Sequence, residues 1–134
     1  MKFITLFAFL INTSVCVSSQ NLIGLNDKEI IKYMKENQRD MRLENVTNTR
    51  YNYLKYSNSS DDQTLLFFLN TDSVCKSVRM ICNFSIMAQK VKEFDSIYTK
   101  RGENRWIDTQ NGKDYLIEIQ EEKWTYIINI EPYK

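Results

Sequence analysis

Histidine is missing from the 134-residue chain. Its absence excludes Ser–His and Cys–His nucleophilic pairs, imidazole metal sites and a proton shuttle that titrates near neutrality. Glycine occurs only at Gly24, Gly102 and Gly112, too sparsely for a loop that cradles phosphate. No G-x-S-x-G or S-x-x-K pattern is present. Neither sign of charge dominates, since 18 Lys and Arg face 17 Asp and Glu, and this balance argues against a nucleic-acid partner. No apolar run reaches the roughly 20 residues a bilayer-spanning helix needs, so no membrane span is expected. No metal-ligand or cofactor motif appears, and the D-x-[DN]-x-[DN]-G order of a calcium loop is absent.

What remains is the composition of a globular domain. Apolar residues make up 43% and charged residues 26%, too apolar for a disordered chain, and the length suits one domain. Residues 1–19 read as a secretory signal. Lys2 is a short basic start, Phe3 to Ile11 is interrupted only by Thr5, and the small or polar Thr13, Ser14, Val17, Ser18 and Ser19 follow. Cleavage after Ser19 leaves 20–134 as a single exported domain, secreted or periplasmic. The alternative, a buried N-terminal strand, fits the basic–apolar–polar order less well. The Val-Ser-Ser-Gln-Asn ending resembles signal sequences of exported proteins from diderm bacteria. Cys16 is preceded by Val15, where acylated lipoprotein cysteines have a small Gly, Ala or Ser. Loss of Cys16 with the signal is therefore favoured over lipid anchoring.

Cys75 and Cys82 are seven residues apart. In one continuous strand they lie on opposite faces and about 23 Å apart, beyond disulfide reach. A bridge needs a turn between them, and Lys76 to Ile81 contains no Gly, Pro, Asn or Asp. The spacing favours two separate thiols and matches no C-x-x-C redox or zinc site.

Helix signals open both parts of the remaining chain. Asn26 and Glu29 form a capping box, with Leu25 and Ile30 as a hydrophobic staple and Ile30, Met34 and Ile31 as the buried stripe. A second helix is expected over 86–100, capped by Ser85 or Asn83. Met87, Val91, Phe94 and Tyr98 lie on one face, and Lys100, Arg101 and Gly102 form its end. Strands are expected over 51–56, over 64–70 as a central strand covered on both faces, and over 74–82.

Asn111-Gly112 predicts a type I′ hairpin that pairs Asp108 with Tyr115, Trp106 with Ile117 and Arg105 with Glu118. A turn at Glu121-Glu122 then places Ile119 opposite Trp124, which is expected to be a buried core residue, and Ile117 opposite Tyr126. Pro132 stops the last strand. The expected class is α+β. Two αβββ halves, about 26–82 and 85–131, form one antiparallel sheet of about six strands, with two helices packed on one face. That order is similar to TATA-binding-protein-like folds and to β-lactamase inhibitor protein domains, a likeness of topology that carries no residues across.

Eight tyrosines and two tryptophans enrich the chain in amphipathic rings. Tyr51, Tyr53 and Tyr56 fall within six residues, so at least one must leave the core face and become a candidate contact for a protein or carbohydrate. Asp108 is the carboxylate that the hairpin register directs toward Trp106 and Tyr115, and its short side chain suits bonding to the Asn111-Gly112 turn. The expected function is a non-catalytic binding or interaction module for a protein or envelope component. The alternatives are a small carboxylate-based hydrolase and an inhibitor-like module that covers another protein.

Overall fold

The computed structural model describes residues 21–44, 52–60 and 62–133. The signal segment, Cys16 and Tyr51 lie outside the described residues. Helix α1 spans Asp27–Asn37. The Asn26 side chain accepts from the Glu29 amide at 2.9 Å, and the Glu29 carboxylate accepts from the Asn26 amide at 2.9 Å. Two amides that the first helical turn leaves without partners are thereby satisfied. Ile30 and Met34 are buried, while Ile31 faces outward at 37% exposure.

Eight strands follow: β1 Met41–Leu43, β2 Tyr53–Asn58, β3 Gln63–Leu69 and β4 Cys75–Asn83, then after the second helix β5 Thr99–Gly102, β6 Arg105–Gln110, β7 Lys113–Glu121 and β8 Thr125–Pro132. They form one open antiparallel sheet in the order β1-β2-β3-β4-β8-β7-β6-β5. The expected six strands become eight because a short strand pairs at each edge. One of these, β5, replaces the expected end of the second helix. Helix α2 runs only over Met87–Ile97, after a 3₁₀ turn at Phe84–Ile86 that Asn83 caps. Lys100 and Arg101 leave the helix because Lys100 pairs with Trp106 across β6. There its ammonium sits over the Trp106 ring, 5.2 Å from the centroid.

The β6–β7 hairpin has the expected register: Asp108 opposite Tyr115, Trp106 opposite Ile117 and Arg105 opposite Glu118. Asn111 and Gly112 both have positive φ, 52° and 77°, which a type I′ turn requires. The Arg105 guanidinium meets the Glu118 carboxylate at 3.1 Å. The next hairpin corrects the expectation. Ile119 faces Ile128 and Ile117 faces Ile130, with Glu122, Lys123 and Trp124 left in a longer connection. The register differs by an even number of residues, so the same side chains stay on the core face in either pairing and alternation cannot tell the two apart. Trp124 is consequently 75% exposed. Trp124→Ala is expected to change unfolding free energy by no more than about 0.5 kcal/mol in urea titration, the range of ordinary surface positions.

Both helices lie on one face of the sheet. Phe94 of α2 meets Trp106 edge-on, with ring centroids 5.3 Å apart, and the Trp106 indole donates to Asp95 at 2.9 Å. α1 packs on the same face, where Ile30 and Met34 join Tyr56, Phe67, Met80, Ile117, Ile128 and Trp106 in one core. Strand β3 alternates in burial instead of being covered twice, because the helices cover only the side of Leu65, Phe67 and Leu69. Cys75 and Cys82 are free and buried at the two ends of β4. Their faces depart from simple alternation. A register shift between Phe68 and Leu69 sets Leu69 opposite Cys75, and both cysteines belong to the same core.

Candidate functional site

The expected site residues do not converge. Tyr53 and Tyr56 are three apart on β2 and point to opposite faces. Tyr56 is 3% exposed on the helix face, where its ring meets Phe67 edge-on at 6.0 Å and burial pushes its phenol pKa up. Tyr53 is the tyrosine that leaves the core. It lies half-buried on the other face, with its ring 6.0 Å from Phe68. Asp108 is far along the sheet on β6. Its Oδ2 accepts from the Asn21 amide at 2.7 Å and the Gln110 amide at 3.0 Å. These partners correct the expected bond to the Asn111-Gly112 turn. At 8% exposure Asp108 closes a buried polar contact between β6 and the segment ahead of α1, so its carboxylate is satisfied within the fold. The turn-side bond belongs instead to Asp114, which accepts from the Thr109 hydroxyl at 2.6 Å.

The face turned away from the helices gathers the most contact chemistry. Strand register aligns two rows across it. One row places Lys55, Leu66, Arg79, Asn129, Glu118 and Arg105 on successive neighbouring strands. Arg79 donates to the Asn129 side chain at 2.9 Å and holds its guanidinium 5.7 Å from the centre of the Phe68 ring. A second row pairs Thr64 with Ile81, Ile81 with Ile127 and Ile127 with Gln120. The flanking pairs are Tyr53 with Phe68 and Leu116 with Ile107. Leu66, Phe68, Ile81, Leu116 and Ile127 are half-buried, and no described helix packs on this face. Aromatic and aliphatic side chains with arginines among them make up the composition of a protein-contact surface. Only the tyrosine count hinted at this from sequence, because which parity faces outward depends on where both helices pack.

Two clefts lie at the margins. One, of about 300 Å³ between α1 and β1, is walled by Ile31, Lys35, Gln38, Arg39, Met41, Leu43 and Tyr56. The other, of about 450 Å³, includes Tyr115, Tyr133 and Pro132, with Asp114 as its one carboxylate. Among the described residues no three His, Cys, Asp or Glu side chains form a metal-binding group, and no helix is long and apolar enough to cross a membrane. Comparison with known proteins finds no matching family model, no matching curated protein and no matching solved structure.

Proposed function

We propose that the protein is an exported, non-catalytic interaction module that docks a protein or envelope component on the open face of its sheet. The observation that carries this reading is the set of half-buried apolar side chains Leu66, Phe68, Ile81, Ile127 and Leu116 on one face, laced with Arg79, Asn129, Glu118 and Arg105. A sheet normally buries apolar side chains on at least one face, and here a second face bears them without a covering layer among the described residues. The hydrolase alternative needs an acid and a base side by side in a cleft. Among the described residues, the wall of the α1–β1 cleft holds no carboxylate and that of the second holds one. We also read the strand order as two halves, each a helix followed by a meander of strands, joined in the middle of the sheet by β4 and β8.

The test exchanges Leu66 and Ile127 together for Glu, and Arg79 singly for Glu. The wild-type chain is expected to retain a stoichiometric partner when isolated natively from the envelope fraction of its own host. Both variants are expected to lose at least about tenfold of that retention, the effect of removing roughly 1.4 kcal/mol of binding, while melting within a few degrees of wild type. Equal retention by the variants, or no stoichiometric partner on the wild type, overturns the proposal.

A further inference from the structure

The edge strand β1 sits beside the cleft that α1 forms, and among the described residues no strand pairs with its outer side. The Glu44 amide donates to the Lys55 carbonyl at 2.8 Å. In the observed register, Arg42 faces Ser57 and Leu43 faces Tyr56. Antiparallel pairing alternates between residues bonded to the neighbour strand and residues whose N–H and C=O point away. Since Glu44 bonds inward, Leu43 points both its N–H and its C=O off the sheet edge. The Met41 amide obeys the same alternation and turns outward to the Gln38 carbonyl at 3.0 Å.

The opposite edge is built differently. Strand β5 is exposed throughout, carries Lys100 and Arg101, and has a register shift between Lys100 and Gly102. Bulges and lysines are devices that keep foreign strands from pairing. The register of β1 is regular, and its side chains toward the helix face are the apolar Met41 and Leu43, the latter 46% exposed. Beside them stand Ile31, 37% exposed, and Lys35 on α1, with the cation Arg39 in the turn that joins α1 to β1. No described carboxylate forms an ion pair with Lys35 or Arg39.

We infer that β1 accepts an extended segment of another protein as an added strand, with an apolar side chain over Leu43 and Ile31 and carboxylates facing Lys35 and Arg39. A residue placed directly opposite Leu43 shares its face, so every second side chain of the incoming segment enters the cleft. The backbone bonds to Leu43 supply pairing, the Leu43–Ile31 surface selects an apolar residue, and the two cations, without an ion pair among the described residues, select acidic neighbours. This edge site is separate from the open face and does not depend on its being occupied.

A fluorescein-labelled peptide, Thr-Val-Thr-Glu-Thr-Glu-Thr, is titrated with the protein and followed by anisotropy. Saturable binding is expected. It should weaken at least about tenfold in the double variant Lys35→Glu, Arg39→Glu, the scale of losing one charge-assisted contact. Leu43→Pro should abolish binding, because proline removes the N–H that points off the edge together with the leucine side chain. Leu43→Val should bind within about threefold of wild type, a difference of under 1 kcal/mol. If Leu43→Pro fails to fold, the same peptide N-methylated along its backbone, tested on the wild-type protein, must lose binding instead. No saturable binding, equal affinity for a peptide with lysine in place of glutamate, or full affinity of the N-methylated peptide overturns the inference.

Discussion

Replacement of Trp106 by alanine is expected to lower unfolding free energy by about 3–5 kcal/mol, the range for deleting a buried large aromatic side chain. Trp106 is fully buried, faces Ile117 across the β6–β7 hairpin and receives the edge of Phe94 from α2. Its indole N–H ends on Asp95, which also meets the Lys100 ammonium at 3.6 Å. The residue therefore joins three elements: the sheet, the second helix and the edge strand β5. The alanine variant loses apolar burial, leaves a cavity that rigid strands cannot close, and removes the partner that anchors α2 through Asp95. Trp106→Phe keeps most of the ring volume and is expected to cost about 1–2 kcal/mol, much of it the lost indole hydrogen bond. Urea titration of the three proteins checks the order. A loss under about 1 kcal/mol for Trp106→Ala would show that α2 does not seat on this residue.

Alkali is expected to lower the stability of the protein, because Cys75, Cys82, Tyr98 and Tyr126 keep their protons in the fold longer than in the unfolded chain. Burial pushes the Cys75 and Cys82 thiols up to about 11. It also raises the phenols of Tyr98 and Tyr126, each reinforced by a neighbouring acid, Asp108 and Cys82 respectively. Tyr126 faces Cys82 across β4 and β8, and no hydrogen bond of normal geometry reaches its hydroxyl, so the Cys82 thiol is only a weak partner. All four groups stay protonated in the folded chain at a pH where the unfolded chain has released the proton. The unfolded state then binds fewer protons, and stability falls as pH rises. The contribution is intact below the ordinary thiol range and is withdrawn from there up to about 11.

Each buried acid withdraws about 1.4 kcal/mol per pH unit in that window. The two thiols alone therefore remove on the order of 5 kcal/mol by its upper end, comparable to the whole stability of many domains. Stability measured by urea titration is expected to drop by about 3 kcal/mol between pH 8 and pH 10. The Cys75→Ala, Cys82→Ala double variant should show a shallower slope from a lower starting value. Equal stability at pH 8 and pH 10 would contradict the burial of these groups.

The residues themselves determined the features whose signals are local. The Asn26–Glu29 capping box needs only side chains three apart. The Asn111-Gly112 turn needs only two residues tolerant of positive φ, and once it forms, the Arg105–Glu118 pair follows by counting. Alternation was enough to assign Trp106, Ile117 and Ile119 to one face, because that period survives any even slip of register. The same property hid the pairing of β7 with β8, where a longer connection sends Trp124 into solvent. Lys100, Arg101 and Gly102 suit a helix end by composition, yet the ladder of Lys100 to Trp106 and of Gly102 to Arg105 makes them an edge strand. Strands as short as Met41–Leu43 hold too few residues to show a period, and they exist because a neighbour already in the sheet offers its backbone. The outcome for Tyr53 and Tyr56 was likewise tertiary. Alternation sets them on opposite faces, but only the packing of both helices against one side decides which ring is buried and which stands on the open sheet.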